Sequence, residues 1–160
     1  MRSTTTRTSP RRRSRELVLQ GLYQRRLSGS PPADVRAHLA ESPGFERADG
    51  AYFDDLWRGL AEGADAVVER LAPLLDRPPA ELSPIERAIL AIGAWELESR
   101  REIPYRVVIN EAVELAKSYG GTDGHKFVNG VLDKLAARLR ADEVEANARE
   151  RRAARGAKPA

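Results

Sequence analysis

PYRVVINEAVELAKSYGGTDGHKFVNGVLDKL, residues 104–135, reads as two helices joined by a glycine turn. Pro104 suits the start of the first helix, because its ring presets φ and its missing N–H has no partner there anyway. Val108, Ala112, Leu115 and Tyr119 fall on one stripe at helical spacing, widened by Ile109, Val113 and Ala116. Gly120 and Gly121 stop this helix, one of them taking a left-handed cap. Thr122 or Asp123 then caps the second helix. Its apolar stripe is Val128, Val131, Leu132, Leu135 and Leu139. The turn leaves free N–H groups and Lys126 at a helix start, an end that suits an anion. Gly130 lies inside the second helix, where glycine costs about 1 kcal/mol. A close helix crossing at Gly130 accounts for it; a functional role for Asn129 is the second reading.

Working outward, Ser83-Pro-Ile-Glu86 is a helix start, with Ser83 as cap and Glu86 three residues on to close a capping box. The helix it opens, 84–99, is apolar nearly all round: Ile85, Ala88, Ile89, Leu90, Ala91, Ile92, Ala94, Trp95 and Leu97. Such a helix belongs in the middle of a bundle. Glu96 sits between its apolar faces and needs a hydrogen-bond partner. Further helices are expected over 11–28, with Val18, Leu19, Leu22 and Tyr23 on the buried side, and over 33–41. A long helix follows at 50–75, carrying Phe53, Leu56, Trp57, Leu60, Val67, Val68 and Leu71 in register. Proline- and glycine-containing breaks at 28–32, 42–44 and 77–79 separate them. No segment alternates with period two over strand length. The expected fold is all-α, a single-domain bundle of six to seven helices over 11–140. Residues 1–10 read as a disordered basic arm with no apolar region of a secretory signal. Residues 141–160 lack an apolar stripe and read as a fraying helix and a disordered tail.

Composition narrows the chemistry. There is no cysteine, and His38 and His125 are the only histidines, so a zinc site is not expected. Gly120-Gly-Thr-Asp-Gly-His-Lys126 fails the phosphate-loop spacing, and no strand precedes it. No nucleophile–base pair or metal motif is present, so no catalytic residue, no metal and no cofactor are expected. No apolar run approaches the ~20 residues of a membrane span.

The formal net charge of +3 hides an asymmetry. Residues 1–26 hold eight arginines against one acid, Glu16, a net +7 that leaves −4 for the remainder. Arg11, Arg12, Arg13 and Arg15 crowd the start of a helix, where cations cost roughly 0.3–1 kcal/mol each. A phosphate backbone neutralises such a cluster, and arginine forks both phosphate and base. Tyr23 follows on the same helix. Arginines with an occasional aromatic suit single-stranded nucleic acid, RNA rather than duplex DNA, for want of a helix-turn-helix pattern. Tyr23 as a core-edge aromatic is the plain alternative, as is core packing for Phe127.

RRRSRELVLQGLYQ, LSPIERAILAIGAWEL and PYRVVINEAVELAKSYGGTDGHKFVNGVLDKLA, in that order, resemble the NusB family of bacterial transcription antitermination factors. The resemblance spans about Arg11 to Arg140. It implies an all-α, cytoplasmic bacterial protein that binds the boxA element of nascent ribosomal RNA leaders. It also implies a ribosomal small-subunit protein, NusE, as partner, within an RNA polymerase antitermination complex. By the same resemblance Arg11, Arg12, Arg13 and Arg15 hold phosphates, and Tyr23 and Phe127 offer faces to bases. Asp123, Lys126 and Asn129 line the same end, and Glu86 faces the ribosomal partner. Gly124 departs from the pattern, standing where serine is common. The alternative function is a helical protein–protein adaptor or homodimer without specific RNA binding.

Overall fold

The Ser83 hydroxyl accepts the Glu86 amide at 3.1 Å and Pro84 follows it, so the central helix begins where the sequence places it. A computed structural model describes residues 9–157. Among these the element order is α1 (Pro10–Ser28), α2 (Pro32–Ala40), α3 (Gly50–Leu60), α4 (Ala64–Arg70), α5 (Pro84–Ser99), α6 (Tyr105–Tyr119), α7 (Gly124–Leu139) and α8 (Ala141–Gly156). Single 3-10 turns lie at Phe45–Arg47, Ala72–Leu74 and Pro79–Glu81. No strand occurs among the described residues. Of the arm expected at 1–10, residues 1–8 lie outside them, as do 158–160 of the expected tail, while Ser9 caps α1 and Pro10 opens it.

α5 is buried from Arg87 through Ala94 and again at Glu96 and Leu97. It packs against α1, α3, α4, α6 and α7, which makes it the axis of the bundle. The stripes read from the sequence form the surrounding walls: Val108, Ala112 and Leu115 of α6, and Val128, Val131, Leu132 and Leu135 of α7, are all core. Close approach is provided by glycine. A Cβ at Gly93 of α5 would lie 2.7 Å from Leu132 Cδ1, and one at Gly21 of α1 2.6 Å from the Trp57 ring and 2.8 Å from Leu39. Gly130 faces open space, so the helix crossing expected there occurs instead at Gly93 and Gly21.

The partner of Glu96 is Arg15. Its guanidinium forks the carboxylate at 2.7 and 2.8 Å, and the two residues are 3% and 1% exposed. Arg15 also reaches the Tyr52 hydroxyl at 3.4 Å. Burial works against the charged guanidinium, but the bonds and charge of Glu96 outweigh it and hold Arg15 above its ordinary range. Burial first, and then the Glu96 charge, push the Tyr52 hydroxyl up as well.

Several boundaries differ from expectation. Eight α-helices replace six to seven, because the span 50–75 divides into α3, α4 and a 3-10 turn and because α8 is formed. The break at 61–63 is hidden from periodicity, since Leu60, Val67, Val68 and Leu71 stay in the core across it. Gly63 permits the pinch: a Cβ there would meet the Gly59 carbonyl oxygen at 2.7 Å. The end of α6 needs no left-handed glycine. Gly120 donates to the Ala116 carbonyl at 2.8 Å and then leaves in an extended conformation, φ −93° and ψ 179°. The left-handed glycines of the described chain are Gly29 and Gly44. Asp123 stands at the start of α7 without a side-chain cap bond.

α8 lies where a fraying helix is expected, and two of its residues, Glu143 and Asn147, are tied to the body. Arg140, 3% exposed, donates to the backbone carbonyls of Glu96, Leu97, Arg100 and Ile103, closing the C-terminal end of α5. Glu143 pairs with Arg140 at 3.1 Å and accepts the Tyr105 amide at 2.7 Å, capping α6 from outside. Asn147 accepts from Arg106 at 2.9 Å. Beyond it α8 carries no apolar contact and is exposed from Arg149 onward.

Breaking the buried pair leaves a charge without a counterion in the core, at a cost of about 3–5 kcal/mol. Urea unfolding of Arg15→Ala should show that loss, whereas the paired replacement Arg15→Met with Glu96→Leu should recover most of it. Equal stability of Arg15→Ala and the parent would contradict the assignment.

Candidate nucleic-acid interface

The first turn of α1 is held by local chemistry before any partner arrives. The Ser9 hydroxyl accepts the Arg12 amide at 3.1 Å. The Ser14 hydroxyl donates to the Asp49 carbonyl at 2.7 Å, and the Asp49 amide returns a bond to the Pro10 carbonyl at 3.1 Å. The arginines therefore project from a fixed helix end.

Each of the four has a carboxylate within the chain. Arg11 lies 3.8 Å from Asp49 and stands 4.7 Å over the Tyr52 ring. Arg12 forks Glu111 of α6 at 2.9 and 3.0 Å, which raises its pKa further. Arg13 donates to the Pro43 carbonyl at 2.9 Å and lies 3.7 Å from Glu16. Arg15 is the buried partner of Glu96 already described. The expectation that all four need phosphate is thus corrected: Arg15 is core, and acidic side chains offset the helix dipole for the others. Arg11 and Arg12 keep side chains 46% and 39% exposed, and Arg13 20%, so these three remain open to an incoming strand.

The accessible side of α1 runs from Arg12 and Arg13 through Glu16 and Gln20 to Tyr23 and Leu27, at helical spacing. Tyr23 is exposed at 38%, so it is a surface ring rather than a core-edge one. With Leu27 and Val35 it walls an apolar groove between α1 and α2, edged by Gln24, Asp34 and His38. Alongside the middle of this strip lies the end of α6, where the Tyr119 hydroxyl donates to Glu16 at 2.7 Å. Glu111 and Tyr119 are about 12 Å apart along α6 at 1.5 Å per residue. That is the separation between the arginine end of α1 and the glycine turn.

Past that turn, Asp123 and Lys126 are exposed and 3.6 Å apart. Asn129 is exposed and donates to Asp133 at 3.3 Å. Asn129 does not share a face with Arg11–Arg13: with Asp133 it lines a cleft with Arg106 and Asn110 of α6, which helical phase turns away from Glu111. Phe127 is half-buried, with the Arg77 guanidinium 4.3 Å over its ring. Arg77 in turn lies 4.0 Å from Glu86, which is largely covered. Packing does not require glycine at 124, since a Cβ there would sit 3.9 Å from the Glu86 carboxylate, an ordinary contact that leaves room for a small side chain. Glu86, Arg77, Phe127 and the start of α7 thus form one cluster.

Sequence reading missed Glu111, Tyr119 and Arg77. Glu111 and Arg77 each complete a long-range contact that no local spacing encodes. The stripe places Tyr119 in the core, yet it is 37% exposed and its hydroxyl donates to Glu16 of α1.

The NusB family model matches residues 12–137, most of the chain. The chain belongs to the NusB family. A curated NusB relative named transcription antitermination protein NusB, from Paraburkholderia phymatum, is 56% identical over 142 residues, covering 89% of this chain and 98% of that protein. The protein of the same name from Azoarcus sp. is 60% identical over 137 residues, covering 85% and 88%. The solved structure of T. maritima NusB superposes with a TM-score of 0.73 at 28% identity, covering 86% of this chain and 99% of that one. The family match ends before α8 begins at Ala141. No helix among the described residues is long and apolar enough to cross a membrane.

Burial first, and then the hydrogen bond to Glu16, hold the Tyr119 hydroxyl neutral above its ordinary range. Its contribution to stability is therefore present below the ordinary tyrosine pKa of about 10 and is lost as pH rises through the elevated value. In an ultraviolet titration, Glu16→Gln should move one phenol step downward, and Tyr119→Phe should remove that step. An unchanged titration in both variants would contradict the contact.

Proposed function

We propose that this NusB-family protein is a bacterial cytoplasmic antitermination factor that binds boxA RNA of ribosomal RNA leaders together with the ribosomal protein NusE. In this role it helps RNA polymerase read through terminators in ribosomal RNA operons. The observation that carries this reading is family membership across residues 12–137, with relatives at 56–60% identity named transcription antitermination proteins. The fixed end of α1 supports it with three accessible guanidinium groups, Arg11, Arg12 and Arg13, that exchange intramolecular carboxylate contacts for phosphate. The long, exposed Arg11–Asp49 pair is worth about 0–1 kcal/mol and is given up cheaply, whereas Arg12 keeps a forked bond to the largely covered Glu111 and gives up more.

Tyr23 offers an exposed ring to a base on the same strip. Phe127, Asp123, Lys126 and Asn129 belong to a second patch at the start of α7, and a single strand serves both by passing over the α6–α7 turn. Glu86, beside Arg77 and Phe127, faces the NusE partner in this reading. The reaction is binding, without catalysis, metal or cofactor. A homodimer is the second reading, supported by the apolar groove between α1 and α2, where Leu27 is 63% exposed.

The test titrates labelled boxA RNA and a scrambled strand with the protein, with and without NusE. Arg11→Ala, Arg12→Ala and Arg13→Ala together remove three phosphate contacts, so the log–log salt slope should become shallower by roughly 2, at ~0.7 per phosphate on a single strand. The helical circular dichroism should stay unchanged. Equal binding of boxA and scrambled strands would defeat the RNA reading, and a concentration-dependent dimer by light scattering without RNA binding would favour the second one.

A further inference from the structure

The family match stops at residue 137, yet the chain continues into a formed helix whose core contact ends at Val144. α8 divides into two parts. Its first half is anchored through Glu143 and Asn147. Its second half, from Arg149, is exposed on every side and carries Arg149, Arg151, Arg152 and Arg155 against a single acid, Glu150. Among the described residues the ion pairs there are Arg149 and Arg152 with Glu145, at 3.4 Å each and well exposed. Arg151 and Arg155 have no carboxylate partner among the described residues. With no apolar stripe, this segment cannot bury itself against a protein surface by the hydrophobic effect. Arginine favours the end of a helix through the dipole, but one or two cations in the last turn satisfy that term.

The position of α8 indicates what the charge meets. Lys126, Asn129 and Asp133 share one face of α7, and the cleft beside them is closed by Arg106 and Asn110 of α6. Arg106 is the residue that Asn147 of α8 accepts from. Arg106 thus joins that cleft to Asn147, beyond which α8 is exposed from Arg149. From Asn147 the helix reaches about 15 Å further at 1.5 Å per residue, the length of two to three extended nucleotides.

We propose that the distal half of α8 is a second phosphate-binding element, which grips single-stranded RNA flanking the segment bound by the NusB-like body. This rests on the RNA reading above and names an additional contact within it. Recognition is of the backbone, by guanidinium groups on a rigid helix, and carries no base preference.

The test uses the full chain and a variant with Arg149→Gln, Arg151→Gln, Arg152→Gln and Arg155→Gln. Glutamine keeps helix propensity while removing charge, and circular dichroism verifies this. Fluorescence anisotropy compares a short boxA strand with the same strand extended by about ten uridines on either side. Two or three added phosphate contacts, each about fivefold at 0.1 M salt, make the parent bind one extended strand roughly 25- to 125-fold tighter than the short one. The variant should lose that gain and the extra salt slope, and bind the short strand as the parent does. Equal affinity of the parent for short and extended strands, or an undiminished gain in the variant, would overturn the proposal while leaving boxA binding intact. Failure of the parent to bind the short strand would instead strike the RNA reading itself.

Discussion

One buried ion pair joins the two parts of the molecule that differ most in composition. Arg15 comes from the arginine-rich start of the chain and Glu96 from its most apolar helix. Taking both charges from water is expensive, and only forked geometry with further polar neighbours makes it tolerable. Those neighbours are Tyr52 and Glu111. Because Glu111 also binds Arg12, the core pair and the surface arginines form one network. The register of α1 against α5 and α6 is thereby fixed, and with it the direction in which Arg11, Arg12 and Arg13 point.

That network changes the meaning of an arginine run. Four consecutive-looking cations divide by helical phase: Arg15 turns inward while Arg11, Arg12 and Arg13 stay accessible. An argument from the helix dipole counts them alike, because it knows the end of the helix and not its sides. Likewise Glu96 announced its need for a partner through its apolar neighbours, but the partner lies 81 residues away and only the folded bundle brings it near.

Much of the fold was readable because local rules and packing agree. Ser83, Pro84 and Glu86 specify a helix start, and the stripes of α6 and α7 became core nearly residue for residue. Disagreement arose where the signal is not periodic. The kink at Gly63 leaves the apolar register intact, so a spacing argument passes over it. Gly120 donates a helical bond and then runs extended, so its type suggested a conformation it does not adopt. At the interface, spacing puts Tyr23 with the buried side of α1 while its chemistry suits a base, and only the fold, which leaves the ring 38% exposed, decides between the two. The division of the remaining residues into two patches was not legible, since Asn129 and Glu111 sit on different sides of the α6–α7 hairpin.

Arg140 closes the end of the central helix by itself, taking carbonyls from Glu96, Leu97, Arg100 and Ile103. Glu143, Val144 and Asn147 then fasten the next two turns to the same edge. From Arg149 onward the helix is exposed, so insertions, losses or changes of charge there are insulated from the packing of the body. Natural variation at this terminus can therefore explore new attachments without a penalty to folding, so long as Arg140 and these anchors are kept.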